Sequence, residues 1–261
     1  MDLGLNNKVA LVHGAGGGLG SAVARALAAE GATVIVSDIN SEMLERTCDA
    51  IEAAGGKAIG KNWDLGQLGL FKQWHNDIVD EVGPVDVLFN NTGGPPPSLV
   101  QNVDRGVWEQ HFSEMVLSVV TMTDLVLPHM KKQGWGRVIT SASSGVVAPI
   151  ANLGLSNALR SALVGWSKTL AREVGPDGIT SNVIIPGRIA TARIVSLDEA
   201  KAGRENRSYD SVVSESTGSI PVKRYGKPDE YGATATFLAS EQASYITGSI
   251  IRVDGGLIAS I

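Results

Sequence analysis

The sequence contains a single cysteine, Cys48, among its 261 residues. One thiol cannot form an internal disulfide framework, and it leaves no cysteine cluster for a structural zinc ion. We therefore expect neither a disulfide-stapled fold nor a metal site. Cys48 falls in a segment with helical spacing, where a small helix residue is the plainest interpretation.

Strong positive charge and long apolar runs are also missing. The formal net charge is −5 and no basic tract stands out, which argues against nucleic acid or an anionic membrane as the main partner. No apolar run reaches the roughly eighteen residues of a membrane span, and the first residues lack the pattern of a signal peptide. We expect a cytoplasmic protein that acts on a small molecule.

Strand-like and helix-like segments alternate along the chain. Short apolar runs such as Val9–Val12 and Thr33–Ser37 indicate buried parallel strands, and helical segments such as Ser41–Ala54 separate them. This order predicts an α/β fold with one Rossmann-type, doubly wound parallel sheet and helices on both faces. The length fits a single domain over residues 1–261.

Two segments depart from this rhythm. Val107–Lys132 is predicted as one long helix that Pro128 should kink or end early. Thr191–Thr217 is polar, charged and poor in large apolar side chains. It is either a mobile lid over the site or a surface insertion, and the sequence leaves both interpretations open.

A glycine-rich loop, His13–Gly20, follows the first predicted strand and precedes a helix. A helix N-terminus offers free N–H groups and the positive end of its dipole, so this order indicates a site for a dinucleotide pyrophosphate. The generic G-x-G-x-x-G spacing does not fit, whereas Gly14-x-x-x-Gly18-x-Gly20 does. The residues predicted to line the loop are Gly14, Gly16, Gly17, Gly18, Leu19 and Gly20.

Asp38 ends the second predicted strand, and its type favours NAD(H). A carboxylate there accepts hydrogen bonds from both ribose hydroxyls and repels a 2′-phosphate. No arginine or lysine sits in the loop or beside Asp38 to offset that repulsion. NADP(H) is therefore the less favoured coenzyme, and a turn or capping role for Asp38 is the alternative.

Five segments between Lys8 and Gly256 together resemble the short-chain dehydrogenases/reductases, most closely the group that acts on 3-oxoacyl thioesters. They are Gly14–Gly20, Trp63-Asp64, Asn90-Asn91-Thr92-Gly93, Pro186-Gly187-Arg188-Ile189 and Val253-Asp254-Gly255-Gly256. The resemblance implies a homo-oligomer, most often a tetramer. Beyond the loop and Asp38 it implies cofactor contacts from Asp64, Leu65, Asn90, Asn91, Arg160, Pro186, Gly187 and Ile189.

The catalytic positions depart from this resemblance. The family moves a hydride between nicotinamide and a carbonyl or alcohol, with a tyrosine as proton donor and a lysine four residues later. A serine about thirteen residues before the tyrosine holds the carbonyl, and an asparagine holds a relay water. The ungapped flanking segments place Ser143, Ser156, Arg160 and Met115 at the serine, tyrosine, lysine and asparagine positions.

Ser156 and Arg160 share one helix face, but neither replaces its counterpart chemically. A serine hydroxyl is much less acidic than a phenol, and an arginine stays charged at every working pH. Ser143 or Ser144 could hold the carbonyl while Arg160 stabilises negative charge and a water supplies the proton. An acid from elsewhere is the alternative, and the candidates are His13, His111, Tyr209 and Tyr225.

Three functions remain open from the sequence. The first is an NAD-dependent oxidoreductase with a modified proton-transfer site. The second is an inactive dinucleotide-binding subunit, alone or in a mixed oligomer with an active relative. The third is elimination or isomerisation on the same scaffold. Gly93–Pro97 is predicted to form a stiff segment at the mouth of the site, where it shapes the pocket or serves as a plain loop.

Overall fold

The computed structural model describes residues 2–261. Within them, the strands form one parallel sheet in the order β3-β2-β1-β4-β5-β6-β7. The strands are β1 (Val9–His13), β2 (Thr33–Asp38), β3 (Lys57–Asn62), β4 (Val87–Asn90), β5 (Gly136–Ser141), β6 (Ile179–Pro186) and β7 (Ile250–Val253). The helices are α1 (Gly18–Ala29), α2 (Ser41–Ala53), α3 (Phe71–Glu81), α4 (Arg105–Phe112), α5 (Ser118–Gln133), α6 (Gly154–Val174), α7 (Ala192–Glu205), α8 (Tyr209–Ser219) and α9 (Pro228–Ala239).

The strand order reverses direction between β1 and β4. The chain builds outward from β1 to β2 and β3, returns to place β4 on the other side of β1, and then proceeds to β7. In open parallel sheets, ligands bind at such a switch point, outside the carboxyl ends of the strands. The predicted α/β fold is confirmed, and the predicted site residues are brought to this edge.

Apolar layers cover both faces of the sheet because the central strands are apolar at nearly every position. Val12 and Phe89 lie in one layer with α1 and α9, whereas Leu11 and Leu88 lie in the other with α3, α5 and α6. Burial on both faces explains the near-continuous apolar runs in the sequence. The two layers hold the carboxyl ends of the strands in a fixed frame for the site.

The predicted helix over Val107–Lys132 is interrupted, but not at the proline. α4 and α5 are joined by a π-helical turn at Ser113–Leu117, and α5 continues through Pro128 to Gln133. The expectation that Pro128 ends the helix early is therefore wrong. Pro128 and Asp124 are exposed, so the carbonyl that loses its helical partner can bind water instead.

The polar segment Thr191–Thr217 forms most of two helices, α7 and α8, rather than an irregular loop. Few side chains of this segment are buried, and Asp198, Ala202 and Val212 are among them. Its motion over the site stays a prediction. Within residues 2–261, none of the helices combines the length and the apolar character needed to cross a bilayer.

Candidate active site

The glycine loop lies at the carboxyl end of β1 and packs tightly against its surroundings. Gly18 has a φ of +54°, which glycine adopts without strain. A Cβ on Gly20 would lie 2.1 Å from the Gly14 carbonyl oxygen, so only glycine allows this approach of α1 to the loop. The Asn91 side chain donates to the same Gly14 oxygen at 3.1 Å. The loop and the end of β4 are thus held together.

The first turn of α1 is free to bind an anion. Gly17 precedes the helix without a side-chain cap, and the first turn contains no acidic residue. Among residues 2–261, no side chain accepts from the N–H groups of Gly18, Leu19 or Gly20. Free N–H groups at a helix N-terminus suit a phosphate, so these residues fit the pyrophosphate of a dinucleotide.

Asp38 ties the glycine loop to the end of β2. One carboxylate oxygen accepts from Gly16 N and the other from Asn40 N, both at 2.9 Å. In the described part of the chain, no arginine or lysine forms an ion pair with Asp38. Each oxygen keeps a second lone pair, so the carboxylate fits the ribose hydroxyls of a bound dinucleotide.

We call the space at the carboxyl ends of β1, β2 and β4 the trough. The other predicted cofactor residues lie around it. Asp64 follows β3 and caps the turn by accepting from Gly66 N at 2.9 Å, while Leu65 packs on the apolar layer of α3. Asn90 is buried and donates only a long 3.4 Å hydrogen bond to Thr123. Its Oδ1 has no partner within residues 2–261. Asn90 is therefore a buried residue at the end of β4, and its contact with a cofactor stays a prediction.

The segment after β6 closes the trough on its far side. Pro186 ends β6, Gly187 N donates to the Val253 carbonyl at 2.9 Å, and Ile189 is buried in a bridge to Gly226. A methyl group placed on Gly18 would lie 3.5 Å from Thr191 Cγ2. The start of α7 therefore reaches back over the glycine loop.

Arg160 lies at the carboxyl ends of β4 and β5, where α6 meets the sheet. Its guanidinium donates to three backbone carbonyls, which belong to Ser141 (3.1 Å), Thr92 (3.3 Å) and Gly93 (3.0 Å). A guanidinium has five N–H donors, so two remain for a ligand. Burial lowers the pKa of Arg160 to about 10, so it is still charged at neutral pH.

Ser143 follows β5, and Ser156 lies in the first turn of α6. The Ser143 oxygen accepts from Gly145 N at 3.1 Å, so its own proton is free to be donated. Ser156 is buried on α6, one turn before Arg160, and its hydroxyl has no protein partner in the described chain. The loop after β5 approaches α6 closely. A Cβ on Gly145 would lie only 2.3 Å from Asn157 Oδ1 on that helix.

Met115 lies within the π-helical turn and is almost fully buried. It packs in a small apolar cluster with Val116, Val119, Leu159 and Leu163. An apolar side chain here cannot hold a water, so the position serves packing against α6. π-Helical turns are frequent at functional sites, and this one presses on the helix that carries Arg160.

The acids considered from elsewhere in the sequence are placed poorly for proton transfer. Burial lowers the pKa of His13 to about 4, and its Nδ1 is 2.7 Å from the Ser37 hydroxyl, so it is neutral at pH 7. Tyr225 donates to the buried Asp198 at 2.6 Å. Tyr209 is the first residue of α8. His111 lies on α4 and contacts Glu114 of the π-helical turn at 3.1 Å.

Tyr231 and Arg193 are functional-site neighbours that the sequence interpretation missed. Tyr231, on α9, shares a 2.8 Å hydrogen bond with the Ser141 hydroxyl, and burial raises its pKa above the ordinary value. It lies fully buried below the strand end, so it supports Arg160 without reaching a ligand. Arg193 lies beside Gly94, and only the helical start of α7 places it there.

The site is therefore that of a dinucleotide-dependent oxidoreductase of the Rossmann class, and comparison with known proteins assigns the family. A family model described as enoyl-(acyl carrier protein) reductase matches residues 14–258. The chain is 37% identical over 250 residues to the short-chain reductase protein NovJ of Streptomyces niveus, which covers 95% of this chain and 93% of NovJ. It is also 32% identical over 256 residues to the 3-oxoacyl-[acyl-carrier-protein] reductase FabG of Thermotoga maritima, covering 97% and 99%.

A solved structure agrees with these relatives. YwfH, an NADPH-dependent reductase involved in bacilysin biosynthesis, superposes with a TM-score of 0.93 at 29% identity over 98% of this chain and 100% of YwfH. The chain belongs to the short-chain dehydrogenase/reductase family of NAD(P)-dependent oxidoreductases. The predicted family is confirmed.

Proposed function

We propose that this protein is an NAD(H)-preferring oxidoreductase that interconverts a carbonyl compound and its alcohol without the tyrosine and lysine of the family. The observation that carries the proposal is Arg160. Its charged guanidinium is fixed at the carboxyl ends of β4 and β5, where it donates to the Ser141 carbonyl two residues before Ser143, and two of its N–H donors are unused. The nicotinamide ring of the bound dinucleotide supplies or accepts the hydride.

Ser143 holds the reacting carbonyl in this proposal. Its oxygen is fixed by Gly145 N, which leaves the hydroxyl proton to be donated to a substrate oxygen. The hydrogen bond strengthens as negative charge develops on that oxygen, and donors fixed in advance stabilise such charge without reorganisation. Ser143 thereby orients the substrate and contributes to rate.

Arg160 contributes positive charge and holds the nicotinamide ribose through its remaining N–H donors. With a pKa of about 10 it does not act as a proton carrier at neutral pH. Its three carbonyl partners fix the guanidinium plane, so the charge is positioned before substrate arrives. The charge favours an alkoxide-like oxygen near Ser143.

The proton then comes from water held near Ser156 or from the substrate itself. Ser156 is shorter than a tyrosine and makes no protein hydrogen bond in the described chain, so its hydroxyl can bind a water where a phenol would stand. A water in a polar, confined site forms two to four hydrogen bonds, and Ser156 supplies one of them.

The relatives support the reaction class and suggest a substrate to test first. One is named a short-chain reductase and another a 3-oxoacyl-[acyl-carrier-protein] reductase, so a 3-oxoacyl thioester is the first candidate. The coenzyme preference rests on Asp38 of this chain. YwfH is an NADPH-dependent reductase, so NAD(H) preference needs its own measurement.

The experiment that tests the proposal follows NADH oxidation with a carbonyl panel that includes 3-oxoacyl thioesters. We expect wild-type turnover and a loss of about 100-fold in kcat for Ser143→Ala, the usual effect of removing one oxyanion donor. Arg160→Gln should lower kcat further, while Arg160→Lys should retain part of it. Ser161→Ala on the exposed face of α6 is the matched control, and circular dichroism checks folding.

Two results would contradict the proposal. One is a failure to bind NADH at millimolar concentration. The other is NADH binding with no turnover of any carbonyl compound, as an inactive subunit would give. In that second case, Ser156→Tyr with Arg160→Lys tests whether only the proton relay is missing. If the double variant also fails to oxidise NADH, more than that relay is absent.

A further inference from the structure

Two arginines face each other across Gly94, at the mouth of the site. A Cβ placed on Gly94 would lie 3.7 Å from Arg160 Nη2 and 3.9 Å from Arg193 Nη2. Arg160 comes from α6 beneath the strand ends, whereas Arg193 comes from the first turn of α7 above them. Both positive charges therefore border the same small volume between β4 and the start of α7.

Neither arginine has an anionic partner within residues 2–261. Arg160 donates to three backbone carbonyls, and Arg193 donates to the Pro95 carbonyl at 3.3 Å. Carbonyl oxygens are dipoles and cancel no net charge. Three arginines around α7 and α8 are paired with carboxylates, namely Arg188 with Asp198, Arg207 with Glu205 and Glu215, and Arg224 with Glu230, whereas Arg204 at the exposed end of α7 forms no ion pair with the described residues.

Like charges placed so close disfavour each other. The pKa of Arg160 is lowered, mainly by burial and further by the positive charge of Arg193. Beside them, the Thr92 hydroxyl is buried and lacks a partner in the described chain. Uncompensated guanidinium pairs match the two oxygens of a carboxylate or phosphate.

We infer that the substrate of this site carries an anionic group, a carboxylate or phosphate, which Arg193 binds beside Gly94 and which the positive charge of Arg160 attracts. The inference rests on the proposed function for its reacting carbonyl, and it adds the chemical class of the substrate. Both N–H groups of Arg160 Nη2 donate to the Thr92 and Gly93 carbonyls, so Arg160 contributes charge to the anion site and Arg193 contributes the hydrogen bonds. Arg193 is thus a specificity-determining residue.

The bound coenzyme offers a different anion. A 2′-phosphate belongs at the end of β2, where Asp38 lies, and β2 is separated from β4 by β1. The pyrophosphate belongs at the first turn of α1. This helix follows β1, which is the strand next to β4. A role of Arg193 on the pyrophosphate would appear as weaker coenzyme binding, so the coenzyme affinity has to be measured separately.

The test measures binding to the NADH-loaded protein by calorimetry, which does not require turnover. The probes are 2-oxobutanoate, 3-oxobutanoate and 4-oxopentanoate, each compared with its uncharged methyl ester, with dihydroxyacetone phosphate as the phosphate probe. We expect at least one acid or the phosphate to bind about 10-fold more tightly than the neutral probes, the effect of one charge-assisted contact. Arg193→Gln should remove that advantage.

The controls separate the two proposals. Arg193→Lys should keep part of the preference for anions, and Arg204→Gln removes the same charge from the exposed far end of α7. Equal binding of acids and esters, or no binding of any probe, overturns the inference. A loss of NADH affinity in Arg193→Gln equal to the loss of acid affinity also overturns it. Failure of the proposed function would instead show as acid binding without turnover.

Discussion

At the scale of single residues, Asp38 holds the glycine loop, and we expect it to favour NADH as the coenzyme. Its carboxylate fixes Gly16 N and lies where a 2′-phosphate would have to sit. We expect wild-type protein to bind NADH more tightly than NADPH. Asp38→Asn keeps an oxygen acceptor for the loop but removes the repulsion, so the affinity ratio should shift towards NADPH by about tenfold, or 1.4 kcal/mol.

Fluorescence titration with both coenzymes measures this ratio. Asp49→Asn, on the exposed face of α2, removes one negative charge at a distance from the loop and should leave the ratio unchanged. A wild-type preference for NADPH would show that groups other than Asp38 decide the coenzyme.

His13 makes the stability of the protein depend on pH. Burial lowers its pKa from 6.5 to about 4, so the folded state favours the neutral ring. Between these values the unfolded chain binds more protons, and stability falls as pH drops from about 6.5 towards 4. The full effect of this shift is about 3 kcal/mol of unfolding free energy.

Denaturant unfolding at pH values from 4 to 7 measures this dependence. His13→Asn keeps a polar partner for Ser37 but does not titrate. The stability of this variant should therefore fall less steeply than that of wild type over the same pH range. His129→Asn, at a partly exposed position of α5, is the control and should retain the wild-type slope. Parallel curves for wild type and His13→Asn would contradict the assignment.

At the scale of elements, one buried carboxylate links α7 to two neighbouring segments. Asp198 is fully buried, accepts from Arg188 at 2.5 Å and from Tyr225 at 2.6 Å, and so connects α7 to the segments after β6 and before α9. Asp198→Ala leaves the Arg188 guanidinium, whose side chain is 29% exposed, and the Tyr225 hydroxyl without their acceptor. We expect α7 and α8 to lose up to about 3 kcal/mol of local stability.

Hydrogen exchange measures that loss, with faster exchange expected in residues 192–219 and unchanged protection in the central strands. Asp198→Asn still accepts from Tyr225 and should give an intermediate result. Glu199→Ala, next along the helix and exposed, is the matched control. Uniformly faster exchange across the sheet would indicate that Asp198 stabilises the whole fold rather than this attachment.

The sequence predicted the strands better than it predicted the helices near the site. Parallel strands buried on both faces are largely apolar, so β1, β2 and β4 are visible as apolar runs. α7 and α8 lack such a pattern because they bury few side chains. The π-helical turn is not visible in the sequence either, since Met115 within it packs against α6 through side chains distant in the chain.

At the scale of the whole molecule, the parallel sheet brings separate motifs to one edge. The glycine loop, Asp38 and Asn91 follow three neighbouring strands. Position along the chain was enough to predict the loop and Asp38, and the family resemblance added Asn91. The position of Arg193 could not be predicted in this way. It depends on the path of the chain after β6, which returns over the glycine loop only in the folded structure.

The last strand suggests how copies of the chain associate. β7 lies at an edge of the sheet, its outer side is unpaired, and Ile250 is 39% exposed. A cleft of about 260 Å³ beside it is lined by Val164, Lys168, Val183 and Ile250, among others. The opposite edge, β3, carries the exposed Lys57, which discourages pairing, and Lys61, which is paired with Glu81, whereas β7 has only Arg252, whose side chain donates to the Ser260 carbonyl.

We therefore expect a homo-oligomer, a dimer or tetramer, that covers β7. Light scattering coupled to size exclusion should give a multiple of the 27.3 kDa chain mass. Ile250→Glu places a charge on the covered edge and should reduce the oligomer at micromolar concentration, since burying an unpaired charge is costly. Leu70→Glu, at a position with a similar exposure of 38%, is the control and should leave the mass unchanged. A monomeric wild type, or equal dissociation by both variants, would mean that the β7 edge is not the surface through which the chains associate.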